Sequence, residues 1–350
     1  MTSRWKIVLI ALSLCLRLAS AAYAEDSGPG DYRLSDPVVH GNLAIYFVHG
    51  QSRSGPVPLT LQEALAKKVV TVRETGQVNE LQVENTGAEE VFIQAGDIVK
   101  GGKQDRVLSV SLLLPPHSGV IPIDSFCVES GRWSARGRED ARTFSSANAN
   151  LPSRTAKLEM AGAKEPKSDA RNAPVGSRQR QIWKNVAEIQ SKLSSKLGAP
   201  VTAPQSQTSL ELTLENDRLA REQSEYVAAL QDKGEQGGDI VGYVFAVNGK
   251  INSADIYPSN GLFRKMWAKL LRASVTEAIG ERDAANAATP PSVDAVNGFI
   301  AGAEKSKTVE TRTKEKSVIG VKENADVMSL VSRPAAAGPE AWTHRSYIAK

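Results

Sequence analysis

"QDRVLSVSLLLPPHSGVIPIDSFCVESGRW" (Gln104 to Trp133) decides the fold class. It holds two β-prone runs, each dense in Val, Leu, Ile and Phe, split by a Pro-Pro-His-Ser-Gly turn that neither a helix nor a central strand tolerates. No apolar spacing of three and four residues runs through it, so two strands of an antiparallel sheet are predicted. The text upstream reads the same way from Asp36. "NLAIYFVHG" (Asn42 to Gly50), "VVTVRETG" (Val69 to Gly76), "VNELQVENTG" (Val78 to Gly87) and "EEVFIQAGDIVKGG" (Glu89 to Gly102) are short strands punctuated by Gly and Asn. "TLQEALAKK" (Thr60 to Lys68) interrupts them as a short helix, with Thr60 as cap and Glu63 at the third helical position in capping-box style. Residues 36–133 are thus expected to form an N-terminal antiparallel β-sandwich-like sheet.

Downstream the composition changes. Residues 134–179 are rich in Ala, Ser, Arg and Asp and poor in large apolar side chains, which predicts a mobile insert that buries too little to offset its ordering entropy. Helical spacing then returns in "RQIWKNVAEIQSKLSSKL" (Arg180 to Leu197) and "SLELTLENDRLAREQSEYVAALQDK" (Ser209 to Lys233). "DIVGYVFAVNGKINSADIYPS" (Asp239 to Ser259) reads as a β-hairpin turning at Asn248-Gly249, and "NGLFRKMWAKLLRASVTEAIG" (Asn260 to Gly280) as a helix with Met266 and Trp267 in the core. A short helix near Pro291 to Ser306 and strands in "KTVETRT", "KSVIGVKE" and "DVMSLVSR" close the pattern before a polar tail, 333–350. The fold class is α+β: the sheet, a packed helical part, the hairpin and a C-terminal β segment. One domain over 36–330 is expected, made of the β-rich part, the insert and an α/β part (180–330), with no internal repeat.

The first residues carry a separate signal. Arg4 and Lys6 precede an apolar run, Ile7 to Leu16, and Ala22 and Ala24 stand before Glu25-Asp26. That order describes a Sec-type signal peptide (1–24) cleaved after Ala24, and a secreted or periplasmic protein without a stable membrane span. Loss of Arg4, Lys6 and Arg17 takes the formal charge from +4 to +1, and no basic patch interleaved with aromatics suggests nucleic acid. Cys15 leaves with the signal, so Cys127 stands alone and no disulfide framework is available. His40, His49, His117 and His344 are scattered without metal-ligand spacing, so neither metal nor cofactor is implied. Lys103 is followed by Gln104, which breaks a phosphate-loop pattern, and no G-x-S-x-G elbow occurs.

The chemistry concentrates in "DSFCVESGRW" (Asp124 to Trp133). On a strand, Phe126 and Val128 share one face and Ser125, Cys127 and Glu129 the other, with about 7 Å between alternate Cα atoms. Gly131 permits a turn that brings Arg132 and Trp133 back to the polar face. The same alternation groups Gln104 with Arg106, opposite Asp105. If the two strands are neighbours, Gln104, Arg106, Glu129, Arg132 and Trp133 converge on one site.

The segment Glu63 to Trp133 resembles the ARG and rhodanese-phosphatase-superfamily-associated protein domain family, where ARG is ADP-ribosylglycohydrolase. The resemblance rests most on "GGKQDR" (Gly101 to Arg106) and "CVESGRW" (Cys127 to Trp133), and it continues through "RQIWKNV" and "GYVFAVNGKINSADIYPSNGLFRKMWAKLLRASVTEAI". The family is named for its genomic company, which implies ADP-ribose or nucleotide-derived ligands but no reaction. The expected function is therefore an exported soluble protein that binds a small anionic ligand, nucleotide- or sugar-phosphate-like. Two arginines would grip the anion, Gln104 would read an amide or hydroxyl, and Trp133 would stack on a ring. Two alternatives stay open. In one, a non-catalytic envelope interaction module uses the same residues as scaffold. In the other, a hydrolase or transferase employs Cys127 as nucleophile beside Glu129, with His117 the nearest base. A redox or intermolecular disulfide use of Cys127 is a further possibility.

Overall fold

The computed structural model describes residues 32–162, 175–283 and 289–350; the segment read as a signal peptide, 1–24, lies outside them. The chain begins with β1 (Arg33–Leu34), β2 (Val38–His40) and β3 (Leu43–His49). Then come β4 (Leu59–Thr60), helix α1 (Leu61–Ala66), β5 (Val70–Gln77), β6 (Glu80–Asn85), β7 (Val91–Ile93) and β8 (Asp97–Gly101). β9 (Arg106–Leu108), β10 (Leu112–Leu114), β11 (Gly119–Cys127) and β12 (Phe144–Asn150) complete this part.

Helices α2 (Arg154–Ala161), α3 (Val175–Leu197), α4 (Leu210–Leu214) and α5 (Asp217–Glu235) lead to the hairpin β13 (Ile240–Val247) and β14 (Lys250–Ile256). Helices α6 (Asn260–Gly280) and α7 (Val293–Glu304) precede β15 (Val309–Arg312), β16 (Ser317–Glu323), β17 (Val327–Pro334) and β18 (His344–Ala349).

Two sheets make the predicted sandwich. A six-stranded sheet runs β12-β8-β9-β11-β6-β5 and faces a three-stranded one, β10-β7-β4. Their inner faces share one apolar core that includes Val72, Leu81, Val83, Ile93, Val99, Leu108, Leu114 and Ile123. Alternation along β6, with Leu81 and Val83 buried and Gln82 exposed, gives the sheet its single apolar face. Pairing is antiparallel except between β4 and β7, which run parallel. The predicted capping box forms: the Thr60 hydroxyl accepts from the Glu63 N–H, and the Glu63 carboxylate accepts from the Thr60 N–H at 2.8 Å.

The second layer is a nine-stranded sheet, β1-β3-β13-β14-β18-β17-β16-β15, with β2 also pairing β3. The hairpin turns at Asn248 (φ +50°) and Gly249 (φ +71°), the left-handed pair that a two-residue connection requires. Helices α5 and α6 cover one face of this sheet and α7 the other. Trp267 anchors the larger core, with its ring edge-on to Phe47 (5.4 Å) and Tyr243 (5.5 Å). Its removal would cost about 3–5 kcal/mol. Gly234 of α5 lets the helix approach that ring: a Cβ there would lie 2.4 Å from the indole.

Three expectations need correction. First, "NLAIYFVHG" belongs to the large sheet, paired with β13, and not to the sandwich. Six of its seven strand residues are fully buried, as a continuous apolar run in a central strand demands. Second, residues 134–161 are not an insert. β12 pairs β8 and packs against α6, and α2 docks Ala156 and Met160 onto the sandwich. These contacts use alanines (Ala147, Ala149, Ala156), whose burial a composition reading undervalues. Residues 163–174 lie outside those described. Third, the C-terminal segment is no tail. β18 sits between β14 and β17, with Tyr347 and Ile348 buried and the polar His344 paired.

Candidate functional site

The predicted residues sit at neighbouring strand ends but pair in two sets, Arg106 with Gln104 and Trp133, and Glu129 with Arg132. β9 and β11 are neighbours, with Cys127 opposite Arg106, but Arg106 and Glu129 take separate partners. Arg106 is fully buried; its guanidinium donates to the Gln104 carbonyl (2.9 Å) and to Glu74 (3.4 Å), while Nε has no partner. Glu129, also fully buried, accepts from Arg132 Nε (2.7 Å) and Nη2 (2.6 Å) and from the Asp105 N–H (3.0 Å). Arg136 closes the set. It donates through both Nη atoms to Asp105, at 2.9 and 3.1 Å, and through Nη2 to Glu139. Ser209, the cap of α4, donates its hydroxyl to Asp105 at 2.7 Å. Asp105, Glu129 and the more exposed Glu139 thus pair with two arginines in a largely buried network that ties the β8–β9 turn, the end of β11 and α4 together. Asp105 and Arg136 escaped the sequence reading: alternation put Asp105 on the wrong side, and Arg136 sat in the supposed insert.

The remaining predicted residues fare differently. Gln104 is buried, while Trp133 is 44 % exposed, with the Lys103 ammonium 5.1 Å and the Arg106 guanidinium 5.6 Å from its ring centroid. Arg132 and Arg136 border an open depression of about 600 Å³, otherwise lined by residues such as Ser134, Gln205, Ser206 and Thr208. Both arginines are already paired inward, which leaves this depression little charge for an anion. Nor can the glycine turn cradle phosphate. The amides of Gly101, Gly102 and Lys103 donate to Asp105, to the Asp140 and Thr143 carbonyls, and to Glu74. Cys127 is free and buried. Burial pushes its thiol up to about 11; the nearby Arg106 opposes this, while Glu74 and Glu129 add to it. Burial and the raised thiol both work against Cys127 as a nucleophile near neutral pH. His117 is exposed in its turn at φ +47°, away from any partner role.

A different constellation lies where the sandwich meets the large sheet. A cavity of about 440 Å³ opens there, within the range of small-molecule sites. Its walls combine Phe126, Met160, Leu330 and Ile348 with Ser111, Asp255, His344 and Lys157. His344 Nε2 is 3.1 Å from Asp255 Oδ1, and His344 Nδ1 is 3.0 Å from Ser111 Oγ. All three residues are at least nine-tenths buried. The fold fixes each of them. Asp255 projects from β14 and His344 from the first position of β18, whose strands pair directly; Ser111 immediately precedes β10 and accepts the Ala95 N–H at 2.9 Å. Tyr257 stacks on the imidazole at 5.2 Å and donates its hydroxyl to Gln94 at 2.6 Å.

Burial alone would raise the Asp255 carboxyl. The His344 hydrogen bond, the charge of His344 and that of Lys157 outweigh it and hold the group below the usual carboxylate range. Ser125, on the cavity wall, has a buried hydroxyl with no hydrogen-bond partner among the described residues. Lys157, half-buried on α2, has no carboxylate within salt-bridge distance among the described residues. No described group of three or more His, Cys, Asp and Glu side chains is placed to hold a metal ion. No described helix is long and apolar enough to cross a membrane.

No curated protein and no solved structure matches the chain. One family model does, over residues 31–347, nearly the full length and including both the buried ion network and the cavity. The chain belongs to the family of the ARG and Rhodanese-Phosphatase-superfamily-associated Protein domain.

Proposed function

We propose that this protein binds a small, partly apolar anion, of the nucleotide- or sugar-phosphate-like class, in the cavity between the sandwich and the large sheet. The ligand class follows the sequence expectation, but its place does not: Gln104, Arg106, Glu129 and Arg132 serve as scaffold. The single observation that carries the reading is the convergence of Lys157, His344, Asp255 and Ser111 with an apolar wall on one cavity. Among the described residues Lys157 makes no salt bridge, only a contact with the Phe245 ring, and offers the counter-charge, while the Ser125 hydroxyl has no described partner and a bound oxygen would satisfy it. Charged side chains on the wall fix orientation, while Phe126, Met160 and Ile348 supply apolar contact. The composition of residues 1–24 supports export, so the ligand is met outside the cytoplasm. The intact mass of the exported protein tests that step: it should begin at Glu25.

A thermal-shift screen of ADP-ribose, nucleoside diphosphates and sugar phosphates tests the binding reading. At least one should raise the melting temperature, and Lys157→Glu should abolish the shift while leaving the ligand-free melting temperature within a few degrees. No shift with any of them, or a shift indifferent to Lys157→Glu, would leave the non-catalytic envelope module as the better account.

A further inference from the structure

We infer that the cavity is also a reaction centre, in which Ser111, His344 and Asp255 form a nucleophile–base–acid relay that cleaves carboxylic esters of small anions. This rests on the ligand reading for the substrate's charge but not for its chemistry, which follows from hydrogen-bond accounting.

An ionised Asp255 can only accept at Nε2, 3.1 Å away, so the imidazole proton belongs there and Nδ1 is left as the ring's lone-pair nitrogen. Among the described residues the acceptor thus presented to the Ser111 hydroxyl is Nδ1, at 3.0 Å. Ser111 Oγ already accepts one N–H from Ala95, so its hydroxyl hydrogen is committed to the imidazole and its remaining lone pair is open on the cavity side. This is the relation of nucleophile, base and orienting carboxylate by which such centres are recognised on unrelated folds, with the two imidazole nitrogens exchanged relative to the best-known example. The relay spans the two halves of the molecule. Ser111 belongs to the sandwich and the other two residues to the large sheet, so docking of the layers assembles it. Tyr257 stacked against the ring and Phe92 edge-on at 5.9 Å hold the imidazole in one plane.

The step balances without any further reagent than water. Ser111 Oγ forms a bond to the ester carbonyl carbon as its proton passes to His344 Nδ1. The carbon–alkoxy bond breaks, and the leaving alcohol takes that proton. Water then adds to the acyl carbon with His344 as base, the acyl–Oγ bond breaks, and the proton returns to Ser111, releasing the carboxylic acid. Asp255 stays ionised throughout and stabilises the transient imidazolium. The Lys157 ammonium on the cavity wall favours esters that carry a phosphate or carboxylate elsewhere in the molecule.

The full-length exported chain is incubated with diisopropyl fluorophosphate, which phosphorylates activated serines with loss of fluoride, and the adduct is read by intact mass and peptide mapping. One adduct on Ser111 is expected. Ser111→Ala should abolish it, and His344→Gln and Asp255→Asn should each slow it by about 100-fold or more. Circular dichroism identifies any variant that fails to fold. Ser111→Thr then keeps the test open, since it should remain folded and label far more slowly. Absence of an adduct in the folded wild-type protein, an adduct on another serine, or labelling at an unchanged rate in a folded His344→Gln protein would each overturn the inference. The two readings part cleanly. Labelling at Ser111 without any thermal shift keeps the relay and sinks the anion site, and a Lys157-dependent shift without labelling does the reverse.

Discussion

Glu129 holds Arg132 through both carboxylate oxygens, Oε1 accepting from Nε at 2.7 Å and Oε2 from Nη2 at 2.6 Å, with Glu129 wholly out of solvent. A fork-to-fork pair in this setting is costly to break from one side. Removing the carboxylate leaves Arg132 with Asp105 as its remaining acid, leaves Arg136 to Asp105 and Glu139, and leaves the Asp105 N–H without its acceptor.

Glu129→Ala should therefore destabilise the protein by about 3–5 kcal/mol. Trp133→Ala should cost no more than about 1 kcal/mol, because that ring is 44 % exposed and contributes mainly its contact with Lys103 and Arg106. Urea denaturation of both variants checks the contrast. Equal losses would mean that Trp133 is a structural plug after all.

Cys127 should resist chemistry in the folded state. Its thiol is buried, raised to about 11, and set against the Val78 carbonyl at 3.5 Å. Below pH 9 the thiolate fraction is therefore small, and access requires opening of the β11 end. Iodoacetamide at pH 7.5 should leave the native protein unmodified over hours and alkylate it promptly in guanidinium chloride. Fast native alkylation would return Cys127 to the list of nucleophiles.

Local physics explains which parts were legible in the text. The hairpin at Asn248-Gly249 and the cap at Thr60 are decided by residues next to one another, so short-range rules reach them. Alternation found Phe126 and Val128 on one face, and both do pack against α2 and α3. It failed at Glu129, two residues beyond the strand end at Cys127, where alternation no longer governs direction. It also had no purchase on the cavity. Ser111 and His344 lie 233 residues apart, and His344 and Asp255 89 apart; strand pairing within the large sheet joins the second pair, and docking of the sandwich adds Ser111. His344 looked like one of four scattered histidines because its partners are set by topology, not by spacing.

Glu211 makes stability depend on pH with a definite sign. It is almost fully buried in α4, and desolvation, with Glu215 and Asp105 nearby, raises its carboxyl to about 8; one of its oxygens has no partner. The folded state thus keeps a proton that the unfolded chain loses above its ordinary value of 4.5. Unfolding releases that proton, so this contribution is full below pH 4.5 and falls by about 1.4 kcal/mol per pH unit until pH 8. Glu211→Gln removes the dependence. The variant should gain on the wild type steadily from pH 5 to 8 in urea midpoints, and a constant difference across that range would refute the assignment.

Gly242 controls how closely β13 and β14 approach beside the relay. A Cβ there would lie 2.5 Å from the Asp255 carbonyl and 2.9 Å from the Ile256 Cα, both backbone atoms that no rotamer change can move aside. Gly242→Ala must therefore spread the strand pair, at a cost of about 1–3 kcal/mol, and shift Asp255 away from His344. Gly238, four residues earlier, has open space at the same position, so Gly238→Ala is a matched control that should cost less than about 1 kcal/mol. Differential scanning calorimetry gives the stability difference, and the imidazole NMR signals of His344 report the second effect. A Gly242→Ala protein as stable as the control, with those signals unmoved, would show that the sheet relaxes without disturbing the Asp255–His344 pair.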